Sequence, residues 1–294
     1  MKLSIVTTLY SSAPYIREFY ERIRKSAEKI TNDYELILVN DGATDDSLKI
    51  VLALYEKDKK IKIIDLSRNY GQHRAIMTGL FYAKGDLVFL IDSDLEEEPE
   101  LLEKFHQEMF LDKEIDVVYG VRIAEKGSFF QGLNSRVFYW IFNRLSQNKI
   151  PENQMVARLM SRRYLKSVLS CKSSDPFLGG IFFQVGFKQK PVKARKLNKG
   201  SSTYSFMNRL RLGLNALIAF GHRLSTYIIC FGLVIMVSAL IIPIFRRNDK
   251  FIIFSIWLFS SMVLVILGVL CAYTYRIYEE LRATPITVVK NIYE

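Results

Sequence analysis

Short apolar runs alternate with segments of helical periodicity through the first third of the chain. The short runs are typical of buried strands, whereas the segments between them repeat their apolar residues every three or four positions. This alternation predicts an α/β domain with a largely parallel sheet and helices on both faces. The predicted strands are Leu3–Leu9, Glu35–Val39, Ile61–Leu66 and Leu87–Ile91, and the predicted helices cover residues 14–30, 46–57 and 72–83.

Two longer apolar runs lie near the C-terminal end, at residues 224–245 and 251–275, and neither contains a charged residue. A helix needs about 20 residues to cross about 30 Å of hydrocarbon, so both runs are long enough to span a membrane. Only residues 246–250 separate them, which predicts a transmembrane helical hairpin (224–275) whose two ends lie on the same side. The alternative, two buried core helices, would require a larger soluble domain around them.

Basic residues flank the predicted hairpin, with three before the first run and three after the second. Such flanks favour the cytoplasmic side, although the short loop between the runs also holds three basic residues. The N-terminal segment has the pattern of a strand and not of a signal peptide, so we expect the N-terminal domain to stay in the cytoplasm. We therefore expect a multi-pass protein of the plasma or inner membrane, with a cytoplasmic domain at 1–203 and a cytoplasmic tail at 276–294.

Positive charge is concentrated directly before the first apolar run. The formal net charge is +11, and residues 186–223 contain nine Lys or Arg and no Asp or Glu. Within this segment, residues 204–223 repeat apolar positions at helical spacing, which predicts an amphipathic helix lying in the membrane interface. The charge predicts an anionic partner, and its place beside the apolar runs favours a membrane surface or a lipid phosphate over nucleic acid.

Acidic residues follow two of the predicted strands, at Asp41 and Asp92. In open α/β sheets, ligands bind beyond the carboxyl ends of the strands, where these residues fall. Asp92 and Asp94 are two positions apart on a predicted turn, and carboxylates at this spacing suit a hard cation such as Mg²⁺ or Mn²⁺. The alternative is a solvated acidic turn that begins a helix. Asp45 or Asp46 is expected to cap the helix that follows Asp41.

Five segments carry a more specific signal: LILVNDGATDDS, LSRNYGQHRAIMTGL, GDLVFLIDSDLEEEPE, VVYGVR and the pattern Gly200-x-Ser202-x-Tyr204. In order and spacing they resemble the family-2 glycosyltransferases with the GT-A fold, and within them the enzymes that transfer a sugar from a nucleotide to polyprenyl phosphate. The resemblance covers nearly the whole chain. It implies a UDP-sugar donor, a polyprenyl-phosphate acceptor, a divalent cation, a role in making cell-envelope polysaccharide, and assembly of copies through the membrane spans.

The resemblance also implies roles for residues on the donor side. Asp41 is expected to contact the nucleobase, and Asp94 is expected to be catalytic. Glu96 stands where the subgroup often has a Gln that binds metal. The expected nucleotide-sugar-binding residues are Thr8, Tyr10, Asp41 and Asp92, and the expected ligands of Mg²⁺ or Mn²⁺ are Asp92, Asp94 and Glu96.

On the acceptor side, Arg158 is expected to be catalytic and to bind the acceptor phosphate, the alternative being a surface salt bridge on the following helix. The full set of expected phosphate-binding residues is Arg158, Arg195, Lys199, Ser202 and Tyr204.

Val156 occupies a position where related enzymes usually carry an Asp. A hydroxyl acceptor needs a general base, whereas a phosphate monoester, whose second pKa is about 6, is already a nucleophilic anion near neutrality. Val156 therefore favours a phosphate acceptor. Two alternatives stay open: a membrane glycosyltransferase that uses a hydroxyl acceptor, and a non-catalytic membrane protein that binds nucleotide sugar. A Rossmann dehydrogenase is excluded because no G-x-G-x-x-G follows the first strand.

Overall fold

The structure is a computed structural model that describes residues 1–123, 144, 151, 153–171, 176–195, 197, 232, 234, 249–281 and 285–294. The chain divides into two compact units. The first contains Met1–Phe129, Ile150–Ser202 and Pro285–Glu294, and the second contains Phe130–Lys149 and Thr203–Thr284.

The first unit is built on an eight-stranded mixed sheet with the strand order β7-β5-β6-β4-β1-β2-β3-β8. Its strands are β1 Leu3–Leu9, β2 Tyr34–Asn40, β3 Ile61–Leu66, β4 Leu87–Leu90, β5 Val117–Arg122, β6 Gln154–Ser161, β7 Gln189–Ala194 and β8 Val289–Tyr293. Its described helices are α1 Ile16–Glu28, α2 Ser47–Tyr55, α3 Gln72–Tyr82, α4 Leu101–Phe110, α5 Arg162–Ser170 and α6 Leu178–Gln184.

The centre of the sheet is parallel, as the hydrophobic pattern predicts. Strands β4, β1, β2 and β3 lie side by side in parallel register. Every residue of β3 and β4 is buried, which is typical of parallel strands that are covered by helices on both faces. The predicted helices are also present, and each begins and ends within about two residues of its predicted limits.

One half of the sheet departs from the parallel pattern. Strand β6 lies between β4 and β5 and runs antiparallel to both, whereas β5 and β7 are parallel. In the β4–β6 register, Leu90 lies opposite Arg158. The mixed sheet therefore brings Arg158, one of the predicted acceptor residues, to the end of β4, the strand that precedes the predicted metal site.

The C-terminal segment is part of the sheet, which differs from its interpretation as a separate tail at 276–294. Strand β8 pairs antiparallel with β3 and covers that edge of the sheet. The hydroxyl of Tyr55 donates to the carbonyl of Glu294 at 3.0 Å, and the Glu294 carboxylate pairs with buried Lys62. The chain that follows the second apolar run thus returns to the first unit.

The described helix of the second unit, α7, extends from Asp249 to Leu281. It contains the predicted span 251–275, and its stretch Leu258–Tyr275 is long and apolar enough to cross a membrane. The other predicted span, 224–245, lies outside the described residues except for positions 232 and 234. The predicted interfacial helix at 204–223 also lies outside them.

Candidate active site

The carboxyl ends of β1, β2 and β4 meet at one edge of the sheet and carry the predicted donor residues. Thr8 lies near the end of β1, while Asp41 and Asp92 come directly or almost directly after β2 and β4. The amide of Asp41 donates to the carbonyl of Leu9 at 3.1 Å. The three positions are therefore brought together by adjacent parallel strands.

Asp41 is buried, with 2% of its surface exposed, and both of its carboxylate oxygens accept backbone hydrogen bonds. The amide of Tyr70 donates to one oxygen at 2.7 Å, and that of Gly71 donates to the other at 3.0 Å. Burial raises the pKa of Asp41, while the two amides favour the ionised form and oppose this shift. Gly71 is the residue directly before α3, so the Asp41 carboxylate binds the loop that leads into this helix.

The turn after Asp41 needs a glycine. Gly42 has a φ of +61°, and a Cβ at this position would lie 2.4 Å from the amide nitrogen of Asn69. In the same turn, the Asp45 carboxylate accepts hydrogen bonds from the amides of Ala13 and Ser47. Asp46 makes no capping side-chain bond, so Asp45 is the residue that satisfies the start of α2.

Burial alternates with a period of two along the acidic turn after β4. Residues 91, 93, 95, 97 and 99 are buried, and residues 92, 94, 96 and 98 are partly exposed. Ser93 pins the turn, because its hydroxyl lies 2.9 Å from the carbonyl oxygen of Thr8 and 3.0 Å from the Ser12 hydroxyl. The three predicted metal ligands, Asp92, Asp94 and Glu96, therefore share the exposed side of the turn.

The two aspartates are oriented by short hydrogen bonds. The side-chain amide of Gln72, at the start of α3, donates to Asp92 at 2.8 Å. The backbone amide of Glu96 donates to Asp94 at 2.9 Å. The first bond ties the turn to α3, and the second holds the Asp94 carboxylate against its own turn.

The donor atoms on this turn suit a hard divalent cation, which prefers carboxylate oxygen. Among the described residues, no three His, Cys, Asp or Glu side chains are grouped closely enough to hold a metal ion by themselves. The structure therefore does not bring Asp92, Asp94 and Glu96 together as a set of three ligands. Mg²⁺ sites commonly use only one or two carboxylates and complete the coordination with substrate phosphates and water. The residues present therefore fit a cation that binds together with a diphosphate.

Glu97 is a further site residue, which the sequence analysis did not single out. It has no exposed surface, and its carboxylate accepts hydrogen bonds from the amides of Val156 at 2.9 Å and Ala157 at 2.8 Å. These amides lie on β6 beyond the stretch that pairs with β4. The Glu97 carboxylate therefore accepts the hydrogen bonds that the carbonyls of a neighbouring strand would otherwise accept. Glu97 thereby joins the acidic turn to the strand that carries Arg158.

Arg158 lies in the middle of β6 and is 2% exposed. Its guanidinium donates to the carbonyls of Val156 and Met155, both at 3.2 Å, and lies 3.6 Å from the centre of the Phe182 ring. Burial lowers the pKa of Arg158 to about 10, and the nearby Tyr164 and then Glu97 oppose this shift.

The alternative interpretation of Arg158, a surface salt bridge on a helix, is wrong because the residue is buried and lies in a strand. Contact with an acceptor phosphate stays a prediction. Within the described part of the chain, Nη1 of Arg158 is buried without a hydrogen-bond partner, so its donors are unsatisfied in this structure.

The remaining predicted residues occupy varied positions. Tyr10 is 53% exposed, just beyond β1, and Arg195 is exposed just beyond β7. The amide of Leu197 donates to the carbonyl of Glu96 at 2.8 Å, which brings the segment after β7 to the acidic turn. Lys199, Ser202 and Tyr204 lie outside the described residues.

Comparisons with known proteins show the family to which the chain belongs. A model of the family described as "Glycosyl transferase family 2" matches residues 4–169. The chain is 32% identical to the uncharacterized glycosyltransferase YkcC of Bacillus subtilis, over all of this chain and 94% of the relative. It is 27% identical to the undecaprenyl-phosphate 4-deoxy-4-formamido-L-arabinose transferase of Klebsiella pneumoniae, over 97% of this chain and 91% of the relative.

A solved structure shows the same fold. Glucosyl-3-phosphoglycerate synthase from Mycobacterium tuberculosis, in complex with Mn²⁺, UDP and phosphoglyceric acid, superposes with a TM-score of 0.51. The two sequences are 15% identical, and the match covers 74% of this chain and 76% of the other. The likeness therefore concerns the α/β architecture of the GT-A type.

Proposed function

Because the chain belongs to glycosyl transferase family 2, we propose that it transfers a sugar from a UDP-sugar to polyprenyl phosphate at the cytoplasmic face of a membrane. The carrying observation is the acidic turn after β4, where Asp92 and Asp94 are both partly exposed beside the end of β1. A relative that covers nearly the whole chain is named for undecaprenyl phosphate, which supports a lipid-phosphate acceptor.

The donor side of the proposal rests on the ends of β1, β2 and β4. Asp41 accepts a hydrogen bond from the nucleobase, with Thr8 and Tyr10 lining the same end of the sheet. Asp92 and Asp94 would hold Mg²⁺ or Mn²⁺ together with the diphosphate of the donor. A cation bound there supplies positive charge that neutralises the leaving diphosphate. Asp41 and Asp92 are both hydrogen-bonded to α3 or its preceding loop, which keeps their relative position defined.

The acceptor side rests on β6 and the basic segment. A phosphate oxygen of the lipid forms a bond to the anomeric carbon while the bond from that carbon to the diphosphate breaks, so the configuration inverts. No side chain has to remove a proton, which agrees with an apolar residue, Val156, at the position where related enzymes usually carry an Asp. Arg158 and Arg195, together with the residues Lys199, Ser202 and Tyr204 beyond them, bind the acceptor phosphate.

The membrane side rests on the path of the chain. The sheet of the first unit contains strands β1 to β7, which precede α7 in the chain, and strand β8, which follows it. If α7 crosses the bilayer once, the chain between them must cross a second time, because β8 pairs with β3 on the side where the sheet lies. The uncharged run 224–245 is long enough for that crossing. This argument supports a hairpin, and assembly of copies through it stays a prediction.

The test incubates membranes containing the protein with radiolabelled UDP-hexoses, polyprenyl phosphate and Mg²⁺ or Mn²⁺. Label is expected in the lipid extract with polyprenyl phosphate and not with polyprenol, which offers only a hydroxyl group. Label on polyprenol would favour the hydroxyl-acceptor alternative, and no lipid-linked label from any donor would refute the proposal.

Asp94→Asn provides the matched test of the metal site, with Glu98→Gln as its control. Glu98 lies on the same partly exposed side of the turn, but the resemblance assigns it no metal. We expect Asp94→Asn to lower the rate by at least about 100-fold, as the loss of a transition-state charge contact does, whereas Glu98→Gln stays near the wild-type rate. Equal rates in the two variants would refute the proposed role of Asp94 in binding the metal.

A further inference from the structure

Two residues of the C-terminal segment contact the start of the loop whose amides bind Asp41 and the helix that follows this loop. We call this loop, residues 67–71, the donor loop; it connects β3 to α3. At its beginning, the amide of Ser67 donates to the carbonyl of Val288 at 2.9 Å. Beyond its end, the hydroxyl of Thr287 lies 2.7 Å from the hydroxyl of Thr78 on α3. Residues 287 and 288 therefore connect the first residue of the donor loop to α3.

The direction of the threonine pair follows from hydrogen counting. The Thr78 hydroxyl donates its single hydrogen to the carbonyl of Arg74 at 2.9 Å. A hydroxyl has one hydrogen and two lone pairs, so Thr287 must be the donor in its contact with Thr78. The Thr287 side chain therefore makes a directed bond to α3, and valine, which has the same shape, cannot replace it.

The donor loop and α3, which Val288 and Thr287 contact, also orient the carboxylates of Asp41 and Asp92. The donor loop provides the amides of Tyr70 and Gly71 that bind Asp41. The first residue of α3, Gln72, binds Asp92. A shift of the loop or of the start of α3 would therefore move both carboxylates.

We propose that Thr287 and Val288 are positioning residues of the donor site, so that the segment that returns from α7 sets the geometry around Asp41 and Asp92. The effect on nucleotide binding rests on the proposed function, whereas the effect on the donor loop does not. The C-terminal segment then has two roles. Its far end covers the exposed edge of β3, and its near end holds the donor loop.

The two roles can be separated by variants at the two ends of the segment. Thr287→Val removes the hydroxyl and keeps the shape, and Thr287→Ser restores the hydroxyl. Asn291→Ala is the matched control, because Asn291 is an exposed residue of the same segment whose partner in the sheet is Asp65 on β3. All variants are made in the full chain, purified in detergent and measured in parallel.

The first measurement is amide hydrogen exchange of residues 67–75. We expect Thr287→Val to exchange about two- to tenfold faster there than wild type, the range expected for the loss of one hydrogen bond. Thr287→Ser and Asn291→Ala are expected to match wild type. Unchanged exchange in Thr287→Val would overturn the inference, and so would an equal acceleration in Asn291→Ala, which would indicate a general loosening of the edge.

The second measurement is the affinity for UDP in the presence of Mn²⁺. We expect Thr287→Val to weaken UDP binding by about two- to tenfold, with recovery in Thr287→Ser. If wild type binds no UDP, the donor assignment of the proposed function fails, and the exchange measurement still decides the inference. If wild type and Thr287→Val bind UDP equally, the proposed link between the C-terminal segment and the donor site is refuted.

Discussion

Replacing Glu97 by glutamine is expected to destabilise the first unit more than its place in an acidic run would suggest. The Glu97 carboxylate is fully buried and accepts two backbone hydrogen bonds at 2.9 and 2.8 Å. A glutamine side chain has one carbonyl oxygen, so its NH₂ group would face the second amide. The change therefore leaves one buried amide without an acceptor and also removes an anion that favours the charged form of Arg158.

The magnitude follows from these two losses. A buried donor without a partner costs about 1–3 kcal/mol, and breaking a buried charge arrangement typically costs about 3–5 kcal/mol in all. We expect about 3 kcal/mol, which corresponds to a fall in Tm of about 6–12 °C for a domain of this size. The measurement is thermal unfolding of the purified full chain, followed by intrinsic fluorescence.

Glu98→Gln is the control, because Glu98 is the next residue and is partly exposed. This variant removes the same charge from the same turn but keeps the Glu97 carboxylate that accepts hydrogen bonds from the amides of β6. If the two variants unfold within about 2 °C of each other, Glu97 does not join the turn to β6 in the way described, and the reasoning is refuted.

Three other predictions concern the two sides of the site. Burial raises the pKa of Asp41 above the ordinary 3.8, so the folded protein binds this proton more readily than the unfolded chain does. As pH is lowered through the raised pKa, UDP affinity should therefore fall and the free energy of unfolding should rise. Titrations of the Asp41→Asn variant should show neither effect. Gly42→Ala should lower the free energy of unfolding by about 1–3 kcal/mol in thermal melts, because its Cβ would meet the Asn69 backbone at a φ of +61°. Arg158→Lys keeps the charge but not the planar packing on Phe182, so kcat with polyprenyl phosphate should fall about tenfold while UDP affinity stays within about twofold.

The parallel half of the sheet was predictable because its signals are local. Strands β1 to β4 are short apolar runs separated by helices of regular periodicity, and sequential elements of this kind pack side by side. Strands β5 to β8 were not predicted, because their places depend on pairing with distant segments. Strand β8 pairs with β3 across more than two hundred residues of chain, and nothing in the sequence of residues 289–293 specifies that partner.

The site was predictable to a similar extent. Asp41, Asp92 and Asp94 follow apolar strands, so a general rule about open sheets places them together. Glu97 was missed because it stands in a run of three glutamates with no local feature of its own. A usable signal existed, since Ile91, Ser93, Leu95 and Pro99 are apolar or small at every second position, which puts Glu97 on their inward side. Period-two patterns are normally sought in strands, and this one continues through a turn.

This alternation also explains how one acidic turn serves two purposes. Its partly exposed positions, Asp92 and Asp94, are available to a cation and a diphosphate, while the buried position Glu97 binds β6 next to Val156. The amide of Val156 binds Glu97, so an aspartate at 156 would add a further carboxylate close to this acidic turn, where like charges repel. With valine there, the electrostatic cost of bringing in the proposed acceptor, a doubly charged lipid phosphate, is lower. The apolar residue at 156 is thus consistent with an acceptor that arrives as an anion.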